Sequence, residues 1–156
     1  MTTGERDNAG VIAPPPAIYG GAVLLGLLAQ RIKPLPLAPR WLARPLGVLL
    51  ALGSLLLGGW AARTMRRAGT PLEPWEPSTA LVTDGPYRFS RNPIYLAMTL
   101  LGAGIALATN AAWVLATALA AAGVVEKGVI GREERYLARR FGERYDDYRE
   151  RVGRWL

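Results

Sequence analysis

The 156-residue chain carries 19 Lys and Arg against 12 Asp and Glu, has neither His nor Cys, and is 51% hydrophobic. Its length bounds it to one domain, and so high a hydrophobic share with positive mean hydropathy points to a membrane class. Lacking thiols and imidazoles, it has no disulfide, thiol nucleophile, imidazole base or soft metal ligand, so no metal is expected and any chemistry falls to carboxylates, Tyr, Arg, Lys and backbone.

The net charge of +7 lies between apolar segments and along the C-terminal tail, which suits membrane topology and anionic lipid; nucleic acid is not expected as a partner. Residues 1–13 form a lead-in that is expected to be disordered; it lacks the basic start and small-residue cleavage site of a signal peptide. Pro14-Pro15-Pro16 opens an uncharged run from Ala17 to Gln30, closed by Arg31 and Lys33. Pro34, Pro36 and Pro39 make the next connection extended, and Pro45 opens a second run, Leu46 to Ala62, bracketed by Arg44 and Arg63.

Between Arg66 and Arg91 lies the longest polar connection, rich in proline, where ordered helix is not expected and where function is. From Asn92 to Val125 no formal charge appears. That stretch is too long for one helix across a core of ~30 Å, so it reads as two short antiparallel helices, about Pro93 to Ala108 and Ala111 to Val125, turning at Thr109-Asn110. Their small residues, among them Gly102, Gly104, Ala118 and Gly123, let the backbones approach closely.

After Glu126 the chain is charged and amphipathic, with Leu137, Phe141, Tyr145, Tyr148, Val152 and Trp155 along one stripe and a break at Gly142. Such a tail either lies on the membrane surface or closes over a site. Four spans place the lead-in, the loop and the tail on one side with fifteen of the 19 basic residues, hence in the cytoplasm. The expected fold is all-α: a polytopic membrane bundle of about four transmembrane helices over residues 14–125, with a cytoplasmic loop 63–92. A cytoplasmic amphipathic tail, 126–156, covers a cofactor pocket. Arg in excess of Lys among much Ala, Leu and Gly points to a bacterial source, hence the inner membrane.

Loop and tail bring arginines, phenols and carboxylates to one interface beside the helix start at Pro93, whose free N–H groups favour anionic groups. Either a zwitterionic cofactor binds there or the charges pair with each other and with lipid phosphates.

Two blocks resemble the isoprenylcysteine carboxyl methyltransferases and the related phospholipid methyltransferases, integral membrane enzymes that use S-adenosylmethionine. The first is Leu81-Val82-Thr83-x-Gly85-Pro86-Tyr87-Arg88-x-x-Arg91-Asn92-Pro93-x-Tyr95-Leu96. The second is Glu133-Glu134-x-x-Leu137-x-x-x-Phe141-Gly142-x-x-Tyr145-x-x-Tyr148, followed by Arg151-Val152-Gly153-Arg154-Trp155. The likeness covers about half the chain, from Thr79 onward.

The resemblance implies that Thr79, Ala80, Leu81, Val82, Tyr87, Asn92, Pro93, Ile94, Tyr95 and Glu133 hold the cofactor, with Arg88 and Arg91 beside them. It also implies methyl transfer to a lipophilic acceptor dissolved in the membrane; an amine acceptor would call for Glu134, Tyr95 or water as base, which makes Tyr95 and Glu134 the catalytic candidates. The sequence departs from the pattern at Asn92, where many members have His, at Ala97, a frequent Gly, and at Val129, where the prenylcysteine enzymes have a substrate-binding Arg. A carboxylate acceptor is already ionised and needs only alignment, whereas an amine must first lose a proton; the lack of His therefore favours carboxyl O-methylation over N-methylation. A non-enzymatic four-helix protein or transporter is the competing class, but the apolar runs contain no Asp, Glu, Lys or Arg. A nicotinamide-dependent reductase ranks below it, since no G-x-G-x-x-G element is present.

Overall fold

Proline, with its fixed φ and missing N–H, stands at the start of three of the six described helices. The computed structural model describes residues 9–73 and 75–156, and among these no strand occurs. Six helices follow in order: α1 (Pro15–Ile32), α2 (Arg40–Arg67), α3 (Pro93–Thr109), α4 (Ala112–Val125), α5 (Gly131–Phe141) and α6 (Glu143–Arg151). A 3-10 turn spans Gly85–Arg88, and a π-turn, Glu126–Ile130, joins α4 to α5 without a break. α2 starts at Arg40, earlier than Pro45 suggests, because Pro45 falls little more than one turn inside the helix, where its ring costs a single backbone bond.

By length and composition, α2 and the continuous rod Ala112–Phe141 can cross a membrane, and α3 is a shorter apolar helix. The uncharged part of the rod ends at Val125, so Glu133 stands about 12 Å further along it. Leu25 is 63% exposed and Leu56 76%, whereas the residues that α2 buries are Ala43, Gly47, Ser54 and Ala61. Large side chains facing outward and small ones inward is the pattern of helices solvated by lipid.

Small residues set the crossings. α2 packs along α3, α1 along α4, and α3 against α4. A Cβ added to Gly104 would stand 2.7 Å from the Ala51 nitrogen and 3.0 Å from the Gly47 oxygen, and one added to Gly102 2.8 Å from the Ala118 Cβ. Gly104 therefore serves the α2 crossing and Gly102 the hairpin, while Gly123 meets nothing.

The starts of α1 and α3 and the end of α4 meet in a cluster of Tyr19, Tyr95, Ala121, Val125, Val129 and Ile130. At the other end the hairpin turns on Asn110, in the left-handed region at φ 52°. Its side chain accepts from Leu37 N (2.8 Å) and Ala38 N (3.1 Å) and donates to Ala38 O (2.9 Å), pinning the proline-rich connection. Of the lead-in expected to be disordered, residues 1–8 fall outside the described residues. Within 9–13, Val11 packs on the tyrosine cluster and Gly10 O accepts from Arg132 Nη1 (2.7 Å).

Gly104→Ala is expected to destabilise the protein by about 1–3 kcal/mol through overpacking. Gly53→Ala, which meets open space, should be neutral or stabilising by up to about 1 kcal/mol. Thermal unfolding of the two variants in detergent checks this, and equal midpoints would contradict the crossing described.

Candidate functional site

The loop after α2 is tied back on itself and then to the tail. Thr79 N donates to Thr70 Oγ1 (3.1 Å), Thr79 Oγ1 to Gly69 O (2.7 Å), and Ser78 N to the Tyr136 hydroxyl on α5 (3.1 Å). Gly85 enters the 3-10 turn at φ 57°, and a Cβ there would stand 2.8 Å from Thr64 Oγ1 and 3.1 Å from Trp60 Nε1. Only glycine suits both that φ and that approach to α2. The turn buries Tyr87, whose carbonyl accepts from the Tyr148 hydroxyl on α6 (2.7 Å).

Beyond the turn, the chain's last residues fold back over the start of α3. Arg91 N donates to Gly153 O (2.9 Å), while Ser90 Oγ (3.2 Å) and Asn92 Nδ2 (3.1 Å) donate to Arg154 O. Glu134 lies between two guanidiniums. Arg154 Nη2 (2.6 Å) and Arg91 Nη1 (2.9 Å) reach its two oxygens, Arg154 Nε bonds Oε1 as well (3.0 Å), and Arg154 Nη1 extends to Glu126 (2.9 Å). Arg91 and Glu134 are only 10% and 16% exposed, so their pairing compensates a real loss of hydration.

Glu133, the next residue, takes a different partner: the Tyr95 hydroxyl donates to its Oε1 at 2.7 Å. Burial raises the Glu133 carboxyl to about 7, the Tyr95 bond opposing and Glu134 reinforcing the shift. Burial likewise pushes the Tyr87 phenol up, aided by Tyr148 and Glu133, and the Tyr148 phenol up against the pull of Arg91. These phenols thus remain hydrogen-bond donors at neutral pH.

All of this encloses a cavity of about 420 Å³, within the range of ~300–1,000 Å³ usual for small-ligand sites. Ala80, Leu81, Val82, Tyr87, Arg91, Asn92, Pro93, Ile94, Tyr95, Glu133 and Glu134 all line it. Two residues of the expected set do not. Thr79 turns its hydroxyl to Gly69 O, and Arg88, at the end of the 3-10 turn, is exposed. Glu134 lines the cavity with both oxygens already engaged, which leaves it poorly placed to take a proton.

Residues outside the expected set complete the wall: Ala62 and Met65 of α2, Trp75 of the loop, Met98 of α3, and Tyr136, Leu137, Tyr145 and Tyr148 of the tail. The apolar stripe of the tail signalled Tyr145 and Tyr148 but was phased on Leu137. Tyr136 is the buried member of that pair, and its hydroxyl meets the loop.

A family model described as phospholipid methyltransferase matches residues 42–144, from the start of α2 into α6. None of the curated proteins matches the chain significantly.

Glu134→Ala would leave Arg91 buried beside a void and is expected to cost about 3–5 kcal/mol of stability. Glu126→Ala, which breaks a pair 38–39% exposed, should cost under about 1 kcal/mol. Unfolding midpoints of the two proteins distinguish a structural Glu134 from a purely catalytic one, whose loss would leave stability unchanged.

Proposed function

The chain belongs to the phospholipid methyltransferase family, a family of membrane methyltransferases, and we propose that it transfers a methyl group from S-adenosylmethionine to a lipophilic acceptor. The observation that carries this reading is the Tyr95–Glu133 pair, set in a cavity walled by both the loop motif and the tail motif. An ionised Glu133 would pair with the cofactor's ammonium or its ribose hydroxyls, and Ala80, Leu81 and Val82 would give the adenosine an apolar wall. Tyr95, which lines the cavity and donates to Glu133, would help to hold the donor there, and the bound donor would supply the methyl group.

We read the helices as four membrane spans, α1 to α4, with the loop and both ends of the chain at the cytoplasmic face, where the basic residues concentrate. The acceptor then arrives from lipid. Leu96, the residue after Tyr95, and Thr99, one turn beyond it, line an outward groove with Leu119, Ala122, Gly123, Glu126 and Trp155, and this groove supports a lateral approach between α3 and α4.

The acceptor's nucleophile is a carboxylate in the reading favoured here. The chain has no histidine, and the candidate base Glu134 is clamped by Arg91 and Arg154, so a nucleophile that needs no deprotonation fits best. One observation favours an amine instead: a Glu133 carboxyl near 7 is matched to accepting a proton at neutral pH. The two readings part on the product. Incubating the protein with labelled S-adenosylmethionine and membrane extract gives label removable by mild alkali if an ester forms, and alkali-stable label if an amine is methylated. No transfer into lipid by either route would end the proposal.

Binding of the donor is expected to weaken by about tenfold or more in Glu133→Gln and in Tyr95→Phe, as fits loss of a hydrogen bond to a charged group. Arg139→Gln on the exposed face of α5 should leave it unchanged. Titration calorimetry with S-adenosylmethionine, and with NADPH as the competing ligand, checks both the residues and the cofactor class.

The same carboxyl sets a pH dependence. In the empty cavity Glu133 holds a proton below about 7, and pairing with a cationic donor requires its release. Affinity should therefore rise from pH 5 to pH 7, by at most about tenfold per unit, and flatten above. Glu133→Gln should abolish the slope; a slope of the opposite sign in the unaltered protein would remove Glu133 from the cofactor site.

A further inference from the structure

The two partners of the Tyr95–Glu133 pair belong to elements that touch through little else. Tyr95 stands in the first turn of α3 and Glu133 in the first turn of α5. Arg154 is bonded to both elements. Its carbonyl accepts from Ser90 and Asn92, which lead into α3, and its guanidinium holds both oxygens of Glu134, the neighbour of Glu133. A third contact, to Glu126, reaches the π-turn from which α5 issues.

We propose that Arg154 is a positioning residue for the cofactor site: by stapling the entry of α3 to the start of α5, it fixes the rotation of α5 that turns Glu133 onto Tyr95. Arg154 does not line the cavity, so its action passes through Glu134 and the strap and not through the ligand. Two-point contact matters here. A guanidinium gripping both oxygens of a carboxylate fixes direction as well as distance, which one ammonium cannot do. Arg91 alone touches Glu134 through a single nitrogen and also serves Tyr145 (3.2 Å), so it leaves α5 free to roll.

The role rests on the cofactor reading given above, and the test separates the two. With glutamate labelled at the carboxyl carbon, NMR titration follows Glu133, assigned by Glu133→Gln. The groups facing it are Tyr95 from α3, Tyr87 from the 3-10 turn and Glu134 on its own helix. In Arg154→Gln the Glu133 midpoint is expected to rise by about one pH unit, because the Tyr95 bond that holds it down is lost and Glu134 is left less neutralised. The Arg91 amide, bonded to Gly153 O, should exchange faster with deuterium, and affinity for S-adenosylmethionine should drop by about tenfold or more.

Arg154→Lys, which keeps the charge but not the fork, should fall between, and it carries the test alone if Arg154→Gln does not fold. An unchanged Glu133 midpoint in the folded variants overturns the positioning role, whatever happens to overall stability. If the unaltered protein fails to bind S-adenosylmethionine, the functional proposal falls, while the Glu133 midpoint still decides the part played by Arg154.

Discussion

Two adjacent carboxylates that face different ways govern the geometry of the site. Consecutive residues on a helix are turned by about 100°, so Glu133 and Glu134 cannot serve the same partner. Glu134 goes to Arg91 and Arg154 and is neutralised there; Glu133 goes to an uncharged phenol and is left with its desolvation only partly offset. The first arrangement holds the tail to the loop, and the second leaves a carboxyl inside the cavity that gains from meeting a cation. Structure and proposed chemistry are thus divided between neighbouring residues, and the structural one has to be satisfied before the other can be aimed.

The bundle beneath supplies a rigid base for this. With leucines turned outward and glycine or alanine at the crossings, α2 and α3 approach closely enough for backbone to touch backbone. Such contacts tolerate little sliding, because any shift drives main-chain atoms together. The first turn of α3 is therefore a fixed point, carrying Asn92, Pro93 and Tyr95, and the loop and tail are laid onto it from above.

Much of this could be read from residue patterns. The apolar runs, the prolines that open them and the Thr109-Asn110 turn mark α1, α3 and α4 to within two residues, while α2 runs six residues before and five beyond the expected Leu46 to Ala62, because its charged ends remain helical. The glycine turn and the paired glutamates mark the candidate site through the family resemblance; residue type alone left open that the charges pair with one another, as Glu134 does with Arg91 and Arg154. What escaped was whatever depends on three-dimensional phase. The exposure of Arg88 and the inward turn of Tyr136 follow from rotations of one residue, and Thr79 is drawn off by a carbonyl ten residues away. Residue type and spacing carry none of that information.

The π-turn sets the face that the tail presents to the loop. Glu126–Ile130 closes a wider turn than the α-helix on either side, so the helix after it is rotated relative to any regular continuation of α4. A periodicity carried straight through from Val125 would set the wrong face of α5 toward the loop. Gly128 sits within this turn, where an added Cβ would run into Ile12 of the lead-in, while Val129 and Ile130 are fully buried in the cluster that also holds Tyr95. The wide turn is thus clamped from both sides by packing. It converts the straight end of an apolar helix into one that presents Glu133 to Tyr95, and the strap residue Arg154, reaching back to Glu126 inside the same turn, holds the result.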